Sequence, residues 1–64
     1  MLLKIDVSSL PPGTKDGYID SRNIEAIYNN GSDLAPTVRL LNGQVYSVAI
    51  EFDRLKRKLD GGNG

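Results

Sequence analysis

The pair Asn42-Gly43, with an apolar run on each side, constrains this chain more than any other feature. Two strand-like runs around Asn-Gly dictate a β-hairpin over residues 37–48. Parity decides its loop. A two-residue loop pairs Leu41 with Gln44 and sets Val38 and Leu40 beside Val45 and Ser47. A three-residue loop, with Gly43 left-handed in a bulge, pairs Leu40 with Gln44 and gathers Val38, Leu40, Tyr46 and Val48 on one face. Register follows burial, so the second arrangement is predicted. Arg39, Val45 and Ser47 then point the other way.

Beyond Val48 the apolar period changes from two to that of a helix. Phe52, Leu55 and Leu59 fall at helical spacing and Ile50 borders the stripe, which predicts a helix over 50–60. Glu51 and Asp53 come early and Arg54, Lys56, Arg57 and Lys58 late, an order that suits the helix dipole. Asp53 and Arg57 are spaced to pair across one turn. Gly61-Gly62 ends the helix, and its apolar stripe is expected to cover the hairpin face.

The first half is built from shorter pieces. Leu3, Ile5 and Val7 alternate with Lys4 and Asp6, the pattern of a half-buried strand over 1–7. Residues 8–17 are turn-rich. Pro11-Pro12-Gly13 suits a type II turn with Gly13 at positive φ, and Asp16-Gly17 is a second turn signal. Tyr18-Ile19-Asp20 reads as a short extended piece and Ser21-Arg22-Asn23-Ile24 as a tight or single helical turn. A strand follows to Asn29, with Ile24, Ala26 and Tyr28 on one side and Glu25, Ile27 and Asn29 on the other. A helix over 21–28, capped by Ser21, is the competing reading. Residues 29–36 form a loop of Asn, Gly, Ser and Asp. The expected fold is α+β, within 1–64 as one small domain: an antiparallel sheet of three or four strands with one C-terminal helix packed on it.

Composition narrows the function. Sixty-four residues supply a core worth only about 3–5 kcal/mol, and small chains add disulfides, a metal or self-association. The sequence has no Cys and no His. That removes disulfides, thiolate metal sites, the usual general base and the cysteine nucleophile. Self-association remains, and a homo-oligomer is expected. No enzyme, no metal and no cofactor is expected. Eight Lys plus Arg balance eight Asp plus Glu. The global basic excess of a nucleic-acid binder is absent, so nucleic acid is an unlikely partner. No apolar run reaches the length of a signal peptide or a membrane span, which gives no membrane insertion and a cytoplasmic location as expectations.

Ile24-Glu25-Ala26-Ile27, Val38-Arg39-Leu40, Leu41-Asn42-Gly43-Gln44, Tyr46-Ser47-Val48 and a charged helix closing at Leu59 together resemble the FlbD family of small bacterial flagellar and swarming-motility proteins. The resemblance spans residues 24–59. It implies a small cytoplasmic accessory protein and carries over no catalytic residue. The opening segment, with Pro11-Pro12-Gly13, departs from that family, which begins almost directly in the strand. A fainter likeness, through Tyr18-Ile19-Asp20-Ser21 and the hairpin-then-helix order, is to the LytTR DNA-binding domain.

The candidate binding residues are Arg22, Asn23, Tyr28 and Arg39. Arg39 lies on the hairpin face away from the core, where a guanidinium can fork onto carboxylate or phosphate. Arg22 and Asn23 share a turn that reaches outward, and Tyr28 offers a ring. Ile27, Leu41 and Val45 are left as an apolar second face, which is costly to expose as a cluster. The leading expectation is a non-catalytic module that binds a protein partner and copies of itself through a sheet edge or that second face. Two other classes stay open. One is a phage-type anti-defence sponge that traps a small anion such as a cyclic nucleotide between subunits, using Arg22, Arg39, a Tyr and the glycine tail. The other is a small DNA-binding regulator using the basic helix face.

Overall fold

Within residues 1–60, which the computed structural model describes, five strands precede one helix. They are β1 (Leu2–Lys4), β2 (Tyr18–Asp20), β3 (Ile24–Tyr28), β4 (Thr37–Leu40), β5 (Val45–Ser47) and α1 (Phe52–Asp60). The Asn-Gly pair sets the hairpin as its chemistry requires. Gly43 takes φ +89°, its N–H donates to Leu40 O at 2.9 Å, and Leu40 N–H donates to Gln44 O at 2.8 Å. Asn42 Oδ1 accepts from Gln44 N at 2.9 Å, closing the loop from the side-chain end. Val38 therefore opposes Tyr46 and Arg39 opposes Val45. Val38, Leu40 and Val48 are buried, and Tyr46 packs beside them.

The strands form two antiparallel sheets, β1-β2 and β3-β4-β5, and α1 completes a small α+β fold. A bridge between Ile5 and Val48 ties the ribbon to the larger sheet, and Ala49 N–H donates to Lys4 O at 2.9 Å. The core is drawn from all three parts. Leu3, Ile5 and Ile19 come from the ribbon, Val38, Leu40 and Val48 from the hairpin, and Leu55 from the helix. Burying each stabilises by about 1.5–3 kcal/mol, opposed by the entropy of ordering the chain. The helix is held at its start by the preceding loop, since Phe52 N–H donates to Asp33 O at 2.9 Å. Among the described residues α1 makes no Asp53–Arg57 ion pair. Instead Lys56 Nζ sits 5.7 Å over the Phe52 ring, a cation–π contact.

Three expectations need correcting. Val7 does not continue the first strand: it is 71% exposed. Asp6 caps a 3-10 turn at Val7–Ser9, accepting from Ser8 N at 3.1 Å, and this local cap overrides the alternation. Ile24 and Ile27 are not on opposite sides of β3. The register slips between Ile24 and Ala26, with Ile24 opposite Leu40 and Ile27 opposite Val38. One extra residue flips the side-chain phase, so both isoleucines pack on the core and Ile27 leaves the second face. The helix begins at Phe52 rather than at residue 50, with Ile50 packed against the core from the bend before it. Ser21–Asn23 is the single helical turn expected, and the strand reading of the residues after it holds. The Pro-Pro-Gly turn also holds, with Gly13 at φ +85° and Thr14 N–H donating to Pro11 O at 3.1 Å. The helix stop at Gly61-Gly62 and the glycine tail lie outside the described residues.

Candidate interaction surface

α1 covers one face of the three-stranded sheet through Leu55 and leaves the other open. Side chains alternate across a strand, so the rungs Tyr28–Thr37–Ser47 and Ala26–Arg39–Val45 carry the outward set. Leu41 continues that phase at the hairpin end. Val45 is 57% exposed, Leu41 65% and Tyr28 43%. Arg39 stands between them, its Nη2 donating to Glu25 Oε1 at 2.6 Å. Both partners of this pair are close to half exposed, and such a pair adds only about 0–1 kcal/mol to folding. The open face thus carries three exposed apolar side chains, with Ala26, Thr37 and Ser47 among them, around one neutralised charge pair.

Of the four candidate residues, Tyr28 and Arg39 meet on this face as diagonal neighbours. Asn23 lies at the hairpin end, where its carbonyl accepts from Leu41 N at 2.8 Å and the residue borders a shallow recess of about 230 Å³ with Leu40, Leu41 and Asn42. Arg22 does not join them. Asp20 caps the turn by accepting from Arg22 N at 2.9 Å, and the Arg22 Nη2 donates back to Asp20 Oδ2 at 2.8 Å. Arg22 is therefore a turn lock, although highly exposed. Glu25 was missed as a candidate. It occupies the bulge, and its approach to Arg39 follows only from the register between β3 and β4.

The Arg22 side-chain hydrogen bonds, followed by the Arg22 backbone N–H, hold the Asp20 carboxyl well below the usual carboxylate range. The same partner raises the Arg22 guanidinium. Ser8 lowers Asp6 in the same sense through its hydroxyl and N–H. A carboxylate depressed in the folded state stabilises above its unfolded pKa, about 3.9 for Asp. That contribution is lost as pH falls through the folded value. Thermal unfolding followed from neutral pH down into strong acid is expected to show a decline beginning near the ordinary carboxyl range, and Asp20→Asn to flatten part of it. An unchanged acid limb in Asp20→Asn would mean that the Asp20–Arg22 lock adds nothing.

The polar loop before β4 is satisfied within itself. Asn29 Oδ1 accepts from Gly31 N at 3.0 Å, Asn30 Oδ1 from Ser32 N at 3.1 Å and Ser32 Oγ from Leu34 N at 3.2 Å. These are turn bonds. Among the described residues no three His, Cys, Asp or Glu side chains are grouped to hold a metal ion, and no helix is long and apolar enough to cross a membrane. Compared with family models, with curated proteins and with solved structures, the chain gives no match.

Proposed function

We propose that this chain is a non-catalytic accessory module that associates with itself and docks a protein partner on the open face of its three-stranded sheet. The observation that carries the proposal is the exposure of Tyr28, Leu41 and Val45 around the Arg39–Glu25 pair. Aromatic residues and Arg are the types over-represented at protein interfaces. An exposed apolar cluster around them is the usual mark of a contact surface. The lack of Cys and His in the sequence supports contact rather than bond-making as the mode of action. The FlbD-like order of strand, Asn-Gly hairpin and charged helix supports an accessory role in a cytoplasmic setting. The cyclic-nucleotide reading is weaker, because both guanidiniums it would use already face carboxylates.

Affinity capture with the immobilised chain tests this reading. The double variant Leu41→Glu, Val45→Glu keeps the core and the Arg39–Glu25 pair and replaces two exposed apolar side chains of the open face with charges. A protein retained by the native chain is expected to be lost by the double variant at unchanged melting temperature. Equal retention by both would sink the proposal.

A further inference from the structure

We propose that two copies of this chain join antiparallel along β3, edge to edge, about a twofold axis at Ile27. This deepens the reading above, on which it rests for self-association, by naming the surface that associates.

The two edges of the larger sheet are treated differently. The β5 edge is closed: Asp6 N–H donates to Ser47 O at 2.8 Å, Ser47 N–H donates to Ser9 Oγ at 2.9 Å, and Ile5 bridges Val48. At the other edge, among the described residues, no main-chain hydrogen bond reaches Ile24–Tyr28 from any element but β4. Parity identifies the free groups. Leu40 N–H turns to Gln44 and Leu41 N–H turns to Asn23, so Thr37 and Arg39 face β3. Their partners Ala26 and Tyr28 turn inward, and Ile27 turns its N–H and C=O outward. At five residues β3 is also the longest strand, with no Pro or Lys to blunt its edge. Its one charge, Glu25, is already neutralised by Arg39.

The register follows from the same constraints. Antiparallel pairing must join outward-facing residues. Centring on Glu25 opposes two like charges, which is unfavourable. Centring on Ile27 exchanges two hydrogen bonds between the Ile27 residues, sets Glu25 opposite Asn29, and sets the small Ala26 opposite the large Tyr28. The second copy also fits what lies beside the edge. Between β3 and α1 runs a groove of about 580 Å³, with Ile24, Ile27 and Leu59 on its walls and Lys56 and Asp60 along it. Ile27 points to the helix side of the sheet, where it opposes buried Val38. In the twofold pairing the second Ile27 therefore stands at the mouth of this groove. Each copy brings Lys56 together with Glu25 and Asp60 to this groove, so a twofold can set unlike charges across it. The product is a continuous six-stranded sheet with the two open faces side by side.

Sedimentation equilibrium from micromolar to millimolar concentration tests the pairing on three chains. These are the native sequence, a synthetic chain N-methylated at the Ile27 amide, and Val45→Glu. N-methylation removes one outward donor per copy and leaves every side chain and every bond to β4 in place. The native chain and Val45→Glu are expected to reach twice 7.0 kDa. The N-methylated chain is expected to keep its circular dichroism and to self-associate at least about tenfold more weakly, having lost both central hydrogen bonds at once. A native chain that stays monomeric throughout, an N-methylated chain that dimerises as tightly, or dissociation caused by Val45→Glu would each overturn the pairing. Partner capture by a monomeric native chain would leave the open-face reading standing. A dimer with capture unaffected on the open face would do the reverse.

Discussion

Leu55→Ala is expected to leave the chain largely unfolded at room temperature. Leu55 is the largest fully buried side chain, at 0% exposure, and it is the helix's one buried contribution to a core otherwise made by both sheets. Truncating a buried Leu costs about 2–5 kcal/mol, the cost depending on how far the site collapses. Collapse is difficult here because the surrounding groups sit on two sheets tied together by the Ile5–Val48 bridge. The stability at hand is about 3–5 kcal/mol for a chain of this size, so one substitution consumes most of it. Urea unfolding followed by circular dichroism measures the loss at fixed protein concentration, since self-association adds stability by mass action. Leu59→Ala serves as the contrast, because Leu59 is only partly buried at the rim, and its loss is expected to be the smaller. Equal midpoints for Leu55→Ala and the native chain would mean that the helix is not part of the core.

Removing residues 1–20 is expected to unfold what remains. The segment 21–60 contains the larger sheet and the helix. By its elements alone it has the outline of a complete domain. Yet Leu3, Ile5 and Ile19, three of the core side chains, come from the deleted ribbon. Three burials at about 1.5–3 kcal/mol each match or exceed the roughly 3–5 kcal/mol a core of this size supplies. The deletion also strips the β5 edge, freeing Ser47 O and Ser47 N–H from Asp6 and Ser9. The shortened chain is expected to show no cooperative thermal transition and poor amide dispersion by NMR. A sharp transition would show that the opening ribbon is an accessory to a self-sufficient core.

Features whose physics is local were legible in the sequence. Asn42-Gly43 specified both the hairpin and its three-residue loop, because burying Val38, Leu40, Tyr46 and Val48 together permits one parity only. The 3.6-residue spacing of Phe52, Leu55 and Leu59 gave the helix within two residues of its start. Pro11-Pro12-Gly13 and the Ser21–Asn23 turn likewise needed no tertiary information. What escaped depends on partners distant in the chain. The bulge at Glu25 has no Gly or Pro to announce it, and it alone decides that Ile27 packs inward and that Glu25 reaches Arg39. Val7 alternated correctly but lost to the Asp6 cap, a signal present in the sequence and outweighed there by periodicity. The candidate surface was half legible. Arg39 was placed on the outward face, but Tyr28 was set on the strand side opposite Ile27 and reaches the open face only through the bulge, and Arg22 is engaged by Asp20, two residues before it.

A protein partner seated on the open sheet face lies within reach of a photo-crosslinker placed on that face. Benzoylphenylalanine is introduced at Val45, on the open face, and separately at Lys58, on the exposed side of the helix, each in the native host. A specific heteromolecular adduct is expected from the Val45 position and none from Lys58. Adducts from Lys58 alone, or the same adducts from both, would contradict that seating.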